Sequence, residues 1–92
     1  MKDLGNITEQ ELIRLILESV RAGLGGGFVS CEKILLGYER VISSHFPNLY
    51  DKTLAANTEP RWKNKARWVR KNMELDGVWQ KSGKRGVWGK AD

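Results

Sequence analysis

The side chains best suited to binding chemistry lie in the last third of the chain, where cationic, amide and indole groups alternate. Residues 61–90 hold ten basic and two acidic side chains, a balance of +8, whereas residues 1–60 hold six basic and eight acidic ones, a balance of −2. A near-neutral body with a strongly basic end is typical of a polyanion binder, and the alternative is a solvated basic surface without a partner. The candidate contact residues are Arg61, Lys63, Asn64, Lys65, Arg67, Trp68, Arg70, Lys71, Lys81, Lys84 and Arg85.

Groups for catalysis or metal binding are sparse. The chain has one cysteine, Cys31, and one histidine, His45, which are too few for a structural zinc site. Its acidic residues form no paired constellation. We therefore expect no catalytic residue, no cofactor and no metal. A single cysteine also excludes an intrachain disulfide and favours a cytoplasmic protein.

The glycine-rich run at residues 23–27 invites comparison with a phosphate-binding loop. Such a loop follows a strand, and the Walker type ends in a Lys-Ser/Thr pair. Here a predicted helix precedes the run, and Phe28 and Val29 follow it. We predict a flexible turn that leads into a very short strand.

Two helices are predicted before the basic segment, and residues 1–7 are predicted to be a mobile lead. The first helix spans residues 9–22, with Thr8 as N-cap and Glu11 completing a capping box. The second starts after Ser30 as N-cap and ends at Phe46-Pro47, with Gly37 as a weak point or a place of close helix packing. The pattern predicts no structure firmly for residues 48–59. The apolar faces comprise Leu12, Ile13, Leu15, Ile16, Leu17 and Val20 in the first helix and Ile34, Leu35, Tyr38, Val41 and Ile42 in the second.

A third helix is predicted over residues 61–76, between Pro60 and the stop residue Gly77. At 100° per residue its buried stripe consists of Trp62, Ala66, Val69 and Met73. The opposite face carries Asn64, Arg67 and Lys71, with Arg61, Lys65 and Trp68 on one flank and Lys63 and Arg70 on the other. Such a face suits the major groove of DNA, where Arg can pair with guanine and Asn with adenine. The sequence does not decide which residue contacts a base.

The remaining residues, 78–88, predict a basic β-hairpin, with strands at 78–81 and 85–88 and a turn at 82–84. Lys81, Lys84 and Arg85 would lie at its tip, against the DNA backbone or in the minor groove. Trp79 and Trp88 would support the hairpin, and the short strands leave open which of them faces inward.

The ordered set of residues in this segment resembles the N-terminal winged helix of Mrr-like restriction system proteins. The resemblance rests on Trp62-Lys63-Asn64-Lys65-Ala66-Arg67-Trp68-Val69, then Asp76-Gly77-Val78, then Lys84-Arg85-Gly86-Val87-Trp88. It implies the DNA-binding module of a restriction or modification system. That family carries its nuclease in a separate, larger domain, and this chain ends at Asp92, so no nuclease is implied here. Some winged helices of this kind look like readers of methylated bases. For Trp68 we nevertheless expect packing at the edge of the second helix or the hairpin, because large aromatic side chains mostly serve burial.

Together these patterns predict a single α+β domain, residues 1–92 with a folded core at 8–88. The predicted fold is a winged helix-turn-helix, in which three helices are followed by a short C-terminal hairpin. The predicted partner is double-stranded DNA, and no membrane partner is expected. The alternative is a protein-interaction module or a homodimer formed through the first helix, whose apolar face is wide.

Overall fold

The computed structural model describes residues 7–55 and 58–91 and has an α+β architecture. The first six residues of the predicted mobile lead lie outside the described residues. The described chain contains three α-helices and a two-stranded antiparallel sheet, an arrangement compatible with the predicted winged helix. In chain order the elements are α1 (Glu9–Gly23), β1 (Phe28–Ser30), α2 (Cys31–His45), a 3₁₀ turn (Pro47–Leu49), α3 (Arg61–Leu75) and β2 (Val87–Gly89).

Local sequence features mark the ends of the helices as predicted. At the start of α1, the Thr8 hydroxyl oxygen accepts a hydrogen bond from the Glu11 backbone N–H at 3.1 Å. At the end of α3, Gly77 adopts a φ of 76°, a left-handed conformation that glycine takes without steric cost. Ser30 occupies the N-cap position of α2, but its side chain makes no capping hydrogen bond. The helix boundaries are thus confirmed, while the capping role of Ser30 is not.

Helix α1 packs against both α2 and α3 and so lies at the centre of the helical layer. The approach to α2 is closest at Gly37, where an added Cβ would lie 2.6 Å from Cγ1 of Val20. Glycine is therefore required at this crossing unless the Val20 side chain gives way. The prediction that another helix packs closely at Gly37 is confirmed.

The core lies between the three helices and the sheet. The predicted stripe of α3 is confirmed, since Trp62, Ala66, Val69 and Met73 are all buried. Trp79 and Trp88 are both buried as well, with ring centroids 6.5 Å apart, so both indoles face inward. The other buried apolar residues are Ile13, Ile16, Leu17, Ile34, Leu35, Tyr38 and Ile42.

The sheet differs from the predicted hairpin in its pairing. Strand β2 falls largely within the predicted second arm, but it pairs with β1 in the register Phe28↔Gly89, Val29↔Trp88 and Ser30↔Val87. Residues 78–81 form no strand, although the Gln80 backbone N–H donates to the Gly89 carbonyl oxygen at 2.8 Å. Strand β2 pairs with β1 because β1, which follows the glycine-rich turn, presents backbone N–H and C=O groups that can form hydrogen bonds with those of β2. The segment at 78–86, here called the C-terminal loop, therefore connects α3 to β2 without forming the predicted first arm.

Candidate nucleic-acid interface

The preceding segment of the chain holds the N-terminus of α3 in place. The backbone N–H groups of Arg61 and Trp62 donate to the carbonyl oxygens of Thr53 and Asp51, at 2.8 and 3.0 Å. These bonds satisfy donors that a helix leaves unpaired in its first turn. The Trp62 ring also lies 5.9 Å from the Tyr50 ring, so the start of the helix is anchored by packing as well.

The outward face of α3 has the predicted polar character. Asn64 is half-buried, whereas Arg67 and Lys71 are exposed. Their side chains therefore point away from the core stripe, as the helical period requires. The structure brings these three residues together on one accessible face.

Arg67 already has an ionic partner. Its Nε lies 3.0 Å from a carboxylate oxygen of Glu59, whose side chain is only 15% exposed. Any partner that takes the Arg67 guanidinium must therefore share it with Glu59 or displace that carboxylate. This pairing is not visible in the sequence, because Glu59 lies outside the helix and precedes Pro60.

On the flank that faces α1, Lys65 forms an ion pair with Glu9. Arg61 is exposed on the same flank. Trp68 is 59% exposed, and the Lys71 ammonium lies 5.6 Å from its ring centroid. The expectation that Trp68 packs at the edge of the second helix or the hairpin is wrong. Trp68 instead lines two open hollows. The N-terminal part of α1 contributes to both of them, and the 3₁₀ turn and the segment after it contribute to one.

The opposite flank carries Lys63 and Arg70, both only partly exposed. The Arg70 guanidinium pairs with Glu74 at 2.8 Å and lies 4.9 Å from the Trp88 ring centroid. Arg70 thus links α3 to β2 by stacking on Trp88, while its ion pair with Glu74 lies within α3. Arg70 stays a predicted DNA-contact residue, and a phosphate that it bound would lie beside the Glu74 carboxylate.

The C-terminal loop presents Lys81, Lys84 and Arg85 to solvent. The loop is organised by Ser82, whose hydroxyl oxygen accepts from the Lys84 backbone N–H at 3.0 Å. None of the three basic side chains forms an ion pair within the part of the chain that the structure describes. A cleft of about 350 Å³ separates this loop from α3, and its walls include Arg70, Lys81, Lys84 and Arg85.

A buried ionic network holds the C-terminal loop against α1. Arg21 is 3% exposed and donates to Glu18 twice, from Nε at 3.0 Å and from Nη2 at 2.5 Å, and to the Gly27 carbonyl oxygen at 3.0 Å. The Trp79 indole N–H donates to the same Glu18 carboxylate at 2.6 Å. The hydrogen bond from Arg21 lowers the pKa of Glu18, against an opposing effect of burial and with further help from Trp79.

This network was not predicted from the sequence. The spacing of three residues between Glu18 and Arg21 on a helix is a visible cue for an ion pair. Its burial is not visible, because the C-terminal strand covers Arg21. An added Cβ at Gly89 would lie 3.1 Å from Cδ of Arg21 and 2.2 Å from the Gly27 carbonyl oxygen.

Other kinds of site find little support in residues 7–55 and 58–91. No three His, Cys, Asp or Glu side chains are grouped there so that they could hold a metal ion. None of the described helices is long and apolar enough to cross a membrane. Of the six apolar residues predicted for the face of the first helix, Ile13, Ile16 and Leu17 are buried, Leu12 and Val20 pack against the core, and Leu15 is 57% exposed. A homodimer through α1 therefore stays a prediction.

No protein-family model, curated protein or solved structure matches this chain. The resemblance to the winged helix of Mrr-like proteins therefore rests on the residues quoted above alone. The candidate interface is defined by its own geometry, the outer face of α3 and the C-terminal loop.

Proposed function

We propose that this domain binds double-stranded DNA as a winged helix, with α3 in the major groove and the C-terminal loop against the adjacent backbone. The observation that carries the proposal is the basic cleft between the two elements. It brings Arg70 of α3 beside Lys81, Lys84 and Arg85 of the loop. Arg70 lies on α3 and the other three residues lie on the loop, so the packing of the loop beside the helix joins them into one cationic surface. The phosphate groups of a DNA backbone are natural ligands of such a surface.

Within this arrangement the residues have different tasks. Asn64 and Arg67 lie on the outward face of α3 and would contact base edges, where bidentate hydrogen bonds discriminate between bases. Exposed Arg61, Lys65 and Lys71 would contact phosphates on either side of the groove. When Arg67 binds a guanine edge, it exchanges the Glu59 carboxylate for acceptors on the base.

A fluorescence-anisotropy titration with a mixed-sequence duplex at several salt concentrations tests this proposal. The affinity should fall by about a thousandfold between low and moderate salt if six or more phosphates are neutralised. Replacing Lys84 and Arg85 together with Gln should lower the salt slope by about 2 and weaken all sequences alike. Lys33→Gln is the matched control, because Lys33 is exposed on α2 and away from the basic cleft.

Base recognition is tested in the same assay with a panel of duplexes. Arg67→Ala should change the order of preference among them, whereas the Lys84 and Arg85 changes should not. If no duplex binds at low salt, where non-specific contacts are strongest, the proposed function is refuted. If duplexes bind but Arg67→Ala alters neither affinity nor preference, the placement of α3 in the major groove is refuted.

A further inference from the structure

Of the four tryptophans, Trp68 alone lies outside the buried core. Trp62, Trp79 and Trp88 are between 1% and 7% exposed, whereas Trp68 is 59% exposed on the basic helix. A large indole surface left in water has a hydration cost, so a partner that covers it gains free energy. We propose that Trp68 is a stacking platform for an unpaired nucleobase, an inference that rests on the proposed binding of DNA.

The space around Trp68 suits a base. Trp68 lines two hollows, one of about 370 Å³ and one of about 280 Å³. The larger volume lies within the range of small-molecule sites, about 300–1,000 Å³. The smaller hollow is formed partly by Ile13 and Val69, which extend the apolar contact next to the indole.

The groups that line the larger hollow match the chemistry of a nucleotide. The amide of Asn64 offers a donor and an acceptor, and the carboxylate of Asp51 offers a further acceptor. Arg61 and Lys65 line the same hollow, where Lys65 is paired with Glu9, and Lys71 lies over the Trp68 ring. Cations placed around an aromatic ring in this way are found where proteins bind single-stranded nucleic acid, because the ring takes the base and the cations take the phosphates.

The geometry of DNA explains why the base must be unpaired. A paired duplex presents base edges and phosphates to a protein, while the faces of its bases are covered by their neighbours. The Trp68 ring can stack only on the uncovered face of a base. Extracting a paired base from the stack is energetically costly, and this cost is smallest for a base that is already unpaired. The domain should therefore prefer a duplex that contains an extrahelical nucleotide.

Three labelled DNAs of the same flanking sequence test this inference by anisotropy. They are a fully paired duplex, the same duplex with a one-nucleotide bulge, and a version in which the bulged nucleotide is abasic. The bulged duplex should bind about tenfold more tightly than the paired one, since stacking on an aromatic side chain is worth about that much per base. The abasic version should lose this advantage, because it keeps the phosphates and the bend but lacks the base.

Variants at Trp68 assign the preference to the indole. In Trp68→Ala the ratio of the two affinities should fall to about one, and in Trp68→Phe it should be intermediate. Leu75→Ala is the matched control, because Leu75 is 75% exposed on the same helix, and its ratio should match that of the wild type. The bulged duplex should also quench the tryptophan emission of the wild type, since Trp68 is its exposed emitter, and leave that of Trp68→Phe largely unchanged.

The outcomes separate this inference from the proposed function. Equal affinity for bulged and paired duplexes, with salt-dependent binding intact, would overturn the stacking role and leave duplex binding standing. A bulge preference that survives Trp68→Ala would also overturn it. Absence of binding to all three DNAs would overturn both proposals. Self-association that Trp68→Ala abolishes, measured by light scattering, would assign the indole to a contact between copies of the chain and overturn its role as a base platform.

Discussion

Replacing Glu18 by Gln is the most informative perturbation of the scaffold, because it removes one charge from the buried network while keeping the shape of the side chain. Arg21, which is 3% exposed, would retain the Gly27 carbonyl oxygen as an acceptor but lose the negative charge of Glu18 beside it. The Gln amide can accept only through its oxygen, so its NH₂ group would face the Arg21 guanidinium in either orientation, and in one of them the Trp79 indole N–H as well.

The size of the effect follows from these contacts. Hydrogen bonds to charged groups contribute about 1.5–3 kcal/mol each, and breaking a fully buried ion pair costs about 3–5 kcal/mol. The Glu18 side chain is 35% exposed, so solvent screens part of the loss. We therefore expect the free energy of unfolding to fall by about 2–3 kcal/mol. For a domain of this size that corresponds to a decrease in Tm of about 10–20 °C.

Thermal unfolding at pH 7, followed by circular dichroism, measures this decrease. Glu32→Gln is the matched control, since Glu32 is exposed on α2 and should change stability by less than about 0.5 kcal/mol. A double variant with Arg21→Met completes a cycle that isolates the coupling between Glu18 and Arg21. A loss below about 0.5 kcal/mol in Glu18→Gln would show that the network contributes little, and the reasoning would fail.

Two further predictions concern the same scaffold. On acidification, the Tm difference between the wild type and Glu18→Gln should shrink as the pH falls below 4.5, the ordinary pKa of Glu18. The pKa of Glu18 is lowered in the folded state, so the stability that its carboxylate contributes is lost as the pH falls through that lowered value. A constant difference down to pH 2 would contradict this assignment. Gly37→Ala should destabilise the domain by about 1–3 kcal/mol in denaturant unfolding, because its Cβ would lie 2.6 Å from Val20 Cγ1. Adding Val20→Ala should make the Gly37 change less costly, and a cost that is unchanged in that background would refute the steric explanation.

The sequence was most informative where structure depends on neighbours along the chain. The capping hydroxyl of Thr8, the stop at Gly77 and the buried stripe that includes Trp62 and Met73 all follow from local preferences and the helical period. The polar face opposite that stripe, which carries Arg67 and Lys71, follows from the same period. The basic character of the candidate interface was therefore visible before the fold was known.

The sequence was least informative about the partners of β2 and of the charged groups. A three-residue strand carries too little pattern to choose between an arm ten residues away and β1, which lies nearly sixty residues away. The pairings of Lys65 with Glu9 and of Arg67 with Glu59 reduce the free charge on α3, and they too depend on positions in space. A count of +8 for the basic segment therefore overstates the charge that is available to a ligand.

By itself, the sequence determined three helices, their buried faces and a basic C-terminal third, because each of these depends on propensity and periodicity over a few turns. Only the tertiary structure decided that β2 closes on β1, that Arg21 is buried beside Glu18, and that Trp68 stays exposed. The physical reason is that burial and pairing depend on which distant segments cover a residue. No local pattern states that the neighbours of Trp68 leave its indole uncovered.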